Sequence, residues 1–300
     1  MNSGKWLSGV LLSILCSSPL HAEQQKACQL NRFSVLPITT LPDGRFTVPA
    51  TLEGQSFNFL VDTGGAVMTL TDDKAYSLGL PVVRSSMELR GVAGSRFTGM
   101  TFVGSFSLGR LQGKNIPFYI DSRLPAGADG TLSPDVMKQY DVDIDPMHGS
   151  INLFSPEHCP GKVVYWTNGG YIVLPMSVVS NGHIEIPVMV DGKKFTAVLD
   201  TGAVESIINM DAAKAFGITE KSPELKPVTD NNSRYKEYDY PFKLLDFNGV
   251  TVTKPRLHVV SSDFLPRGID MLIGVSILRR LHLYIAYGEE KLYITPATQN

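Results

Sequence analysis

Apolar and polar positions alternate along this chain in short runs of about four to eight residues, each broken by Gly, Pro, Asp or Asn, which is the period of strands and turns. Strands are expected over 33–38, 45–52, 56–61 and 68–70, with Pro42-Asp43-Gly44 and Glu53-Gly54-Gln55 as turns. A short helix over 72–78 follows, capped by Thr71 or Asp72 and stopped at Gly79. A hairpin over 87–103 carries Gly91-Val92-Ala93-Gly94 at its tip, and strands over 105–108 and 116–121 continue the sheet. A helix over 135–140 and strands over 142–144 and 150–154 close this half. A stretch rich in Pro and Gly then leads to a second series: strands over 171–179, 183–190 and 194–199, a helix over 210–216, and a polar hairpin ending at Tyr235. Strands over 240–245, 251–253 and 257–260, the run Met271-Leu272-Ile273-Gly274, a helix over 276–280 and strands over 283–286 and 291–294 complete it. The fold class is mostly β, in two similar halves with a cleft between them.

The two halves keep step in sequence as well as in pattern. Asp62-Thr63-Gly64 follows Phe59-Leu60-Val61, and Asp200-Thr201-Gly202 follows Ala197-Val198-Leu199. Laid over each other at that offset, Gly44 meets Gly182, Pro49 meets Pro187, Gly54 meets Gly192, Phe57 meets Phe195, Ala75 meets Ala213 and Gly79 meets Gly217 without a gap. Two ordinary Asx turns would share the tripeptide but not its frame. The chain divides into residues 1–22, a unit over 23–155, a linker over 156–170 and a unit over 171–300.

Composition adds a compartment. Residues 1–22 read as a secretory signal: Lys5, the apolar run from Trp6 to Leu15, and Leu20-His21-Ala22 before the cleavage point. A lipid-anchored alternative would use Cys16, although Leu15 is large where that processing signal takes a small residue. Periplasm and exterior both fit. Removing the leader takes away one lysine and no acid, so the formal charge of −2 falls by one. No block of Lys or Arg marks a nucleic-acid or membrane face, and no run reaches the roughly 20 apolar residues of a membrane span. Cys28 and Cys159 remain as a candidate disulfide, with two free or metal-binding thiols as the alternative. The histidines lie singly, without metal-ligand spacing, and no metal or other cofactor is expected.

The repeated turn points to chemistry. Asp directly after a buried strand puts a carboxyl at the strand end; the Thr hydroxyl can bond across to the other half, and Gly lets backbone approach a carboxylate. If the halves pack about a two-fold axis, Asp62 and Asp200 meet and share one proton, because two carboxylates at about 3 Å cannot both ionise readily. Such a pair can activate a water and protonate an amide carbonyl.

These turns, the segments Asp129-Gly130-Thr131-Leu132 and Leu272-Ile273-Gly274, each before a short helix, and the strand Asp141-Val142-Asp143-Ile144-Asp145-Pro146 resemble retropepsin-type aspartic peptidases. Two such units in tandem are similar to the pepsin-like arrangement, and the resemblance covers residues 33–295. It implies a bilobal acid-protease fold, an extended peptide or protein substrate, flaps over the cleft, and hydrolysis by Asp62 and Asp200, supported by Thr63, Gly64, Thr201 and Gly202. One chain holds both halves, so a monomer suffices. The candidate flap residues are Gly91, Val92, Ala93, Gly94 and Tyr235; the first hairpin lacks the flap tyrosine of pepsin-like enzymes, leaving Phe97 or Tyr235 for that place. Two further departures stand out: Gly65 where the family has Ala or Ser, and Ser133 where it has a glycine. They motivate a rival reading, a peptide-binding protein without turnover. No nucleophilic-serine, dinucleotide or P-loop motif is present.

Overall fold

The structure, a computed structural model, describes residues 29–84, 97, 99–121, 123–180, 182–228 and 236–297. The expected leader over 1–22, Cys28, the tip Gly91-Val92-Ala93-Gly94 and Tyr235 lie outside the described residues.

Each half begins from the same hairpin. Strands Phe46–Leu52 and Gln55–Val61 pair through the two-residue turn Glu53-Gly54, and strands Ile184–Val190 and Lys193–Leu199 through Asp191-Gly192. Both residues of each turn have positive φ, 48° and 79° in the first and 45° and 79° in the second, which matches the twist of the strands they join. The left-handed acid is held by its own carboxylate. Glu53 accepts from the Gly104 and Ser105 amides, and Asp191 from those of Lys243 and Leu244.

The second hairpin strand then pairs in parallel with a short buried strand, Gly130–Leu132 in one half and Met271–Ile273 in the other. That short strand also pairs antiparallel with the strand beyond the Asp-Thr-Gly turn, Thr69–Leu70 or Ser206–Asn209. Each active turn is thus held on both sides by one strand. Helices Pro134–Met137 and Val275–Leu278 follow directly.

A six-stranded antiparallel sheet joins the halves, in the order Arg32–Pro37, Ser150–Phe154, Asp141–Asp145, Leu281–Ala286, Lys291–Pro296, Ile172–Pro175. Its central pair brings one strand from each half, with Asp143 opposite Tyr284. Val142, Ile144, Leu283 and Ile285 face a core that runs continuously from one half into the other. Asp141, Asp143 and Asp145 face away, under the expected linker, whose Val163, Tyr165 and Trp166 pack over Phe154, Tyr284 and Tyr293. That segment is part of the fold's packing.

Four expectations need correction. The strands of 105–108 and 116–121 are the ends of one longer hairpin, Met100–Leu108 with Leu111–Ile120. The strand over 240–245 is broken into Glu237–Asp239 and Leu244–Asp246, because Pro241 has no amide to give the ladder. Helices are shorter than expected: Pro134–Met137, Val275–Leu278, and Met210–Ala213 passing into a tighter turn over Lys214–Phe216. The buried strand Ser206–Asn209 was not foreseen, although Ile207-Ile208 carries its signal.

Candidate active site

The apolar runs before each Asp-Thr-Gly are buried strand ends, so both turns emerge from the core at the same level. Thr63 and Thr201 sit inside, each 1% exposed. Thr63 Oγ1 donates to the Leu199 carbonyl at 2.8 Å and accepts from the Thr201 amide at 3.0 Å. Thr201 Oγ1 donates to the Val61 carbonyl at 2.6 Å and accepts from the Thr63 amide at 3.1 Å. Every polar atom in this four-bond ring has a partner from the other half.

That ring brings the carboxyls together. A Cβ built on Gly64 would collide with the carboxyl of Asp200, and one on Gly202 with the carboxyl of Asp62, so glycine is the residue that lets each turn lie against the opposite aspartate. Asp62 and Asp200 lie within hydrogen-bonding reach of each other. Burial and the charge of Asp200 push Asp62 well above the usual carboxylate range. Burial raises Asp200 too, but the amides of Gly202 and Ala203, the bond from Asp62 and the charge of Arg45 oppose it. Asp200 Oδ1 accepts from Gly202 N at 2.9 Å and Ala203 N at 3.0 Å, whereas Asp62 Oδ1 accepts from Gly64 N at 3.1 Å. The two amides on Asp200 and the charge of Arg45 favour the carboxylate form there.

The two departures fit this asymmetry. A Cβ at Gly65 would lie 2.8 Å from Asp62 Oδ2, so the missing methyl gives that carboxyl room where Ala203 occupies the equivalent place beside Asp200. Gly274 cannot carry a Cβ because the carbonyls of Glu205 and Ala203 occupy its space. In the first half Ser133 is accommodated, fully buried, with Oγ donating to Asp135 Oδ1 at 2.8 Å.

A cavity of about 290 Å³ opens over the pair. Leu60, Val67, Phe97, Leu124 and Pro125 give it apolar walls, while Arg45, Asp121 and Arg123 add charge. Phe97, one of the two aromatics considered for the flap, lines it and packs against Tyr119 with ring centroids 5.6 Å apart. Cys159 is disulfide-bonded; Cys28, its expected partner, lies outside the described residues. Among the described residues no cluster of three or more His, Cys, Asp or Glu could hold a metal ion.

Sequence reasoning passed over Arg45 and His183. Arg45 Nη1 donates to the Gly202 carbonyl at 3.1 Å, and the buried His183 ring faces the backbone of Gly64 and Gly65. The signal was available, since the same offset that aligns the Asp-Thr-Gly turns places Arg45 on His183, one residue after the matched Gly44 and Gly182.

Comparisons with known proteins agree with this geometry. Residues 48–136 match an aspartyl protease family, and residues 186–280 match a gag-polyprotein aspartyl protease family. Among solved structures, an aspartic proteinase from Irpex lacteus superposes with a TM-score of 0.55 at 17% identity, covering 87% of this chain and 96% of that one. Basic 7S globulin from soybean gives 0.54 at 10% identity, over 89% of this chain and 97% of the globulin. Conglutin gamma, a basic 7S globulin from lupine seeds, gives 0.52 at 11% identity, over 89% and 95%. At such identities the likeness concerns the fold. No curated protein matches in sequence. With an aspartyl protease family match in each half and one bilobal fold closed around two Asp-Thr-Gly turns, the chain is built of two retropepsin-like aspartyl protease units in a pepsin-like fold.

Proposed function

We propose that this chain is an exported aspartic endopeptidase, complete as a monomer, that hydrolyses peptide bonds between Asp62 and Asp200. The observation that carries this reading is the unequal carboxyl pair at the floor of an open cavity. A water held between the two carboxyls attacks the scissile carbonyl carbon and gives a proton to Asp200. Asp62 gives its proton to the carbonyl oxygen, which leaves a neutral diol. Asp200 then protonates the amide nitrogen as the C–N bond breaks, and Asp62 takes a proton back from a diol hydroxyl. Water is consumed, an acid and an amine leave, and the dyad returns to its starting state. The walls formed by Leu60, Val67, Phe97 and Leu124 suit an apolar side chain beside the cleaved bond.

The test is cleavage of a mixed peptide library by the mature protein from acidic to neutral pH, beside Asp62→Asn and Asp200→Asn. Each variant is expected to lose cleavage by about a thousandfold or more, since acid and base act as a unit. Undiminished cleavage by either pure variant would remove the dyad. The rival reading, a peptide-binding protein without turnover, draws on Gly65 and Ser133 and on the globulins that share the fold. Peptides bound but uncut by folded wild type at every pH would favour it.

A further inference from the structure

Arg45 and His183 hold equivalent places in the two halves. Each follows a turn glycine in the left-handed region, Gly44 with φ +89° and Gly182 with φ +86°, and each stands just before the first strand of its hairpin. Each reaches the backbone of the active turn of the other half: Arg45 donates to the Gly202 carbonyl, and the buried His183 ring faces Gly64 and Gly65. The two positions thus follow the same pseudo-two-fold as the threonine ring, but with different side chains.

The chemistry of those side chains is unequal. Arg45 carries a permanent charge. Asp43 orients it through Nε at 3.0 Å and Nη2 at 2.6 Å, which leaves Nη1 for the Gly202 carbonyl. The charge acts on Asp200 in favour of its carboxylate. His183 is 5% exposed, and what acts on its ring is burial, which disfavours its charge, against the backbone of Gly64 and Gly65, which favours it as carbonyl acceptors do. Asp43 and Asp200 are the acids that face Arg45.

We propose that Arg45 and His183 are paired positioning residues, each set against the opposite active turn, and that the difference between guanidinium and imidazole fixes Asp200 as base and Asp62 as acid. This rests on the dyad reading above, and its test is separable from that reading. The carboxyl carbons of ¹³C-aspartate-labelled mature protein are titrated by NMR and assigned through Asp62→Asn and Asp200→Asn; the same samples are assayed for kcat/KM against pH. Arg45→Met is expected to move the Asp200 titration, and the acidic limb of kcat/KM, upward by about one pH unit or more. Arg45→Lys should restore most of that shift, because it keeps the charge. His183→Arg is expected to move the Asp62 titration, and the alkaline limb, downward. Near-UV circular dichroism identifies the variants that keep the native fold. Unmoved carboxyl titrations in folded Arg45→Met and His183→Arg would overturn the proposal, whether or not the protein cleaves peptides. Loss of both folds would leave Arg45→Lys to decide, with a titration displaced as far as the wild-type asymmetry itself counting against a charge effect.

Discussion

At the scale of single residues, the ring formed by Thr63 and Thr201 is the most constrained feature. Each hydroxyl both donates and accepts inside a dry region, so removing one leaves a carbonyl and an amide of the other half without partners. Thr63→Val and Thr201→Val keep the shape and should each cost about 2–4 kcal/mol of stability, measured by denaturant unfolding. The four bonds fall into two pairs with no atom in common, so the second substitution breaks two further bonds and adds a cost of its own. The aspartates, threonines and glycines of the turns were legible from the repeated tripeptide and the chemistry of its residue types. Arg45 and His183 were not, because matching halves by identity hides a position where the two halves differ.

At the scale of elements, the strand Asp141–Asp145 shows how a charged sequence can lie inside a fold. Asp143, wholly buried, accepts from Asn152 Nδ2 at 2.7 Å and Tyr165 Oη at 2.8 Å and meets His282 Nε2 at 2.6 Å. Asp141 meets His158 Nε2 at 2.5 Å, and Asp145 meets His148 Nδ1 at 2.6 Å. Trp166 stacks on His282 with centroids 4.3 Å apart. Asp143→Ala strands three donors from the first half, the linker and the second half, and is expected to cost about 3–5 kcal/mol. Since Asp143 lies on the sheet that joins the halves, cleavage per folded molecule should stay unchanged. Equilibrium unfolding together with active-site titration checks both statements. The strand itself was visible in the sequence, as were most strands to within a residue or two. What its aspartates bind was not, because alternation gives the face of a strand and not the side chains that cover it. The short helices were overextended for a related reason: their sequences continue helical periodicity past the point where tertiary strands take over the chain.

For the whole molecule, the offset between the halves carried the two-fold repeat, whereas the parallel pairing that holds each active turn joins segments about 70 residues apart and left no mark in local alternation. Burying two carboxyls at the joint has a thermodynamic consequence. Asp62 in the folded chain is held above its ordinary value of 3.8, so between those two values the native state binds a proton that the unfolded chain does not. Falling pH therefore stabilises the protein through this group, and the gain is complete once pH drops below 3.8. Asp62→Asn removes the group and should unfold at a higher temperature than wild type at neutral pH, with the difference shrinking on acidification. Thermal unfolding of both proteins across pH measures this, and a difference that grows towards acid would contradict it. The positions of Arg45 and His183 give the tandem arrangement a further meaning. A homodimer made from one such unit must present the same side chain at both positions, so neither carboxyl can be told from the other until substrate arrives. Joining two copies in one polypeptide lifts that constraint and lets inheritance assign acid and base permanently, before anything is bound.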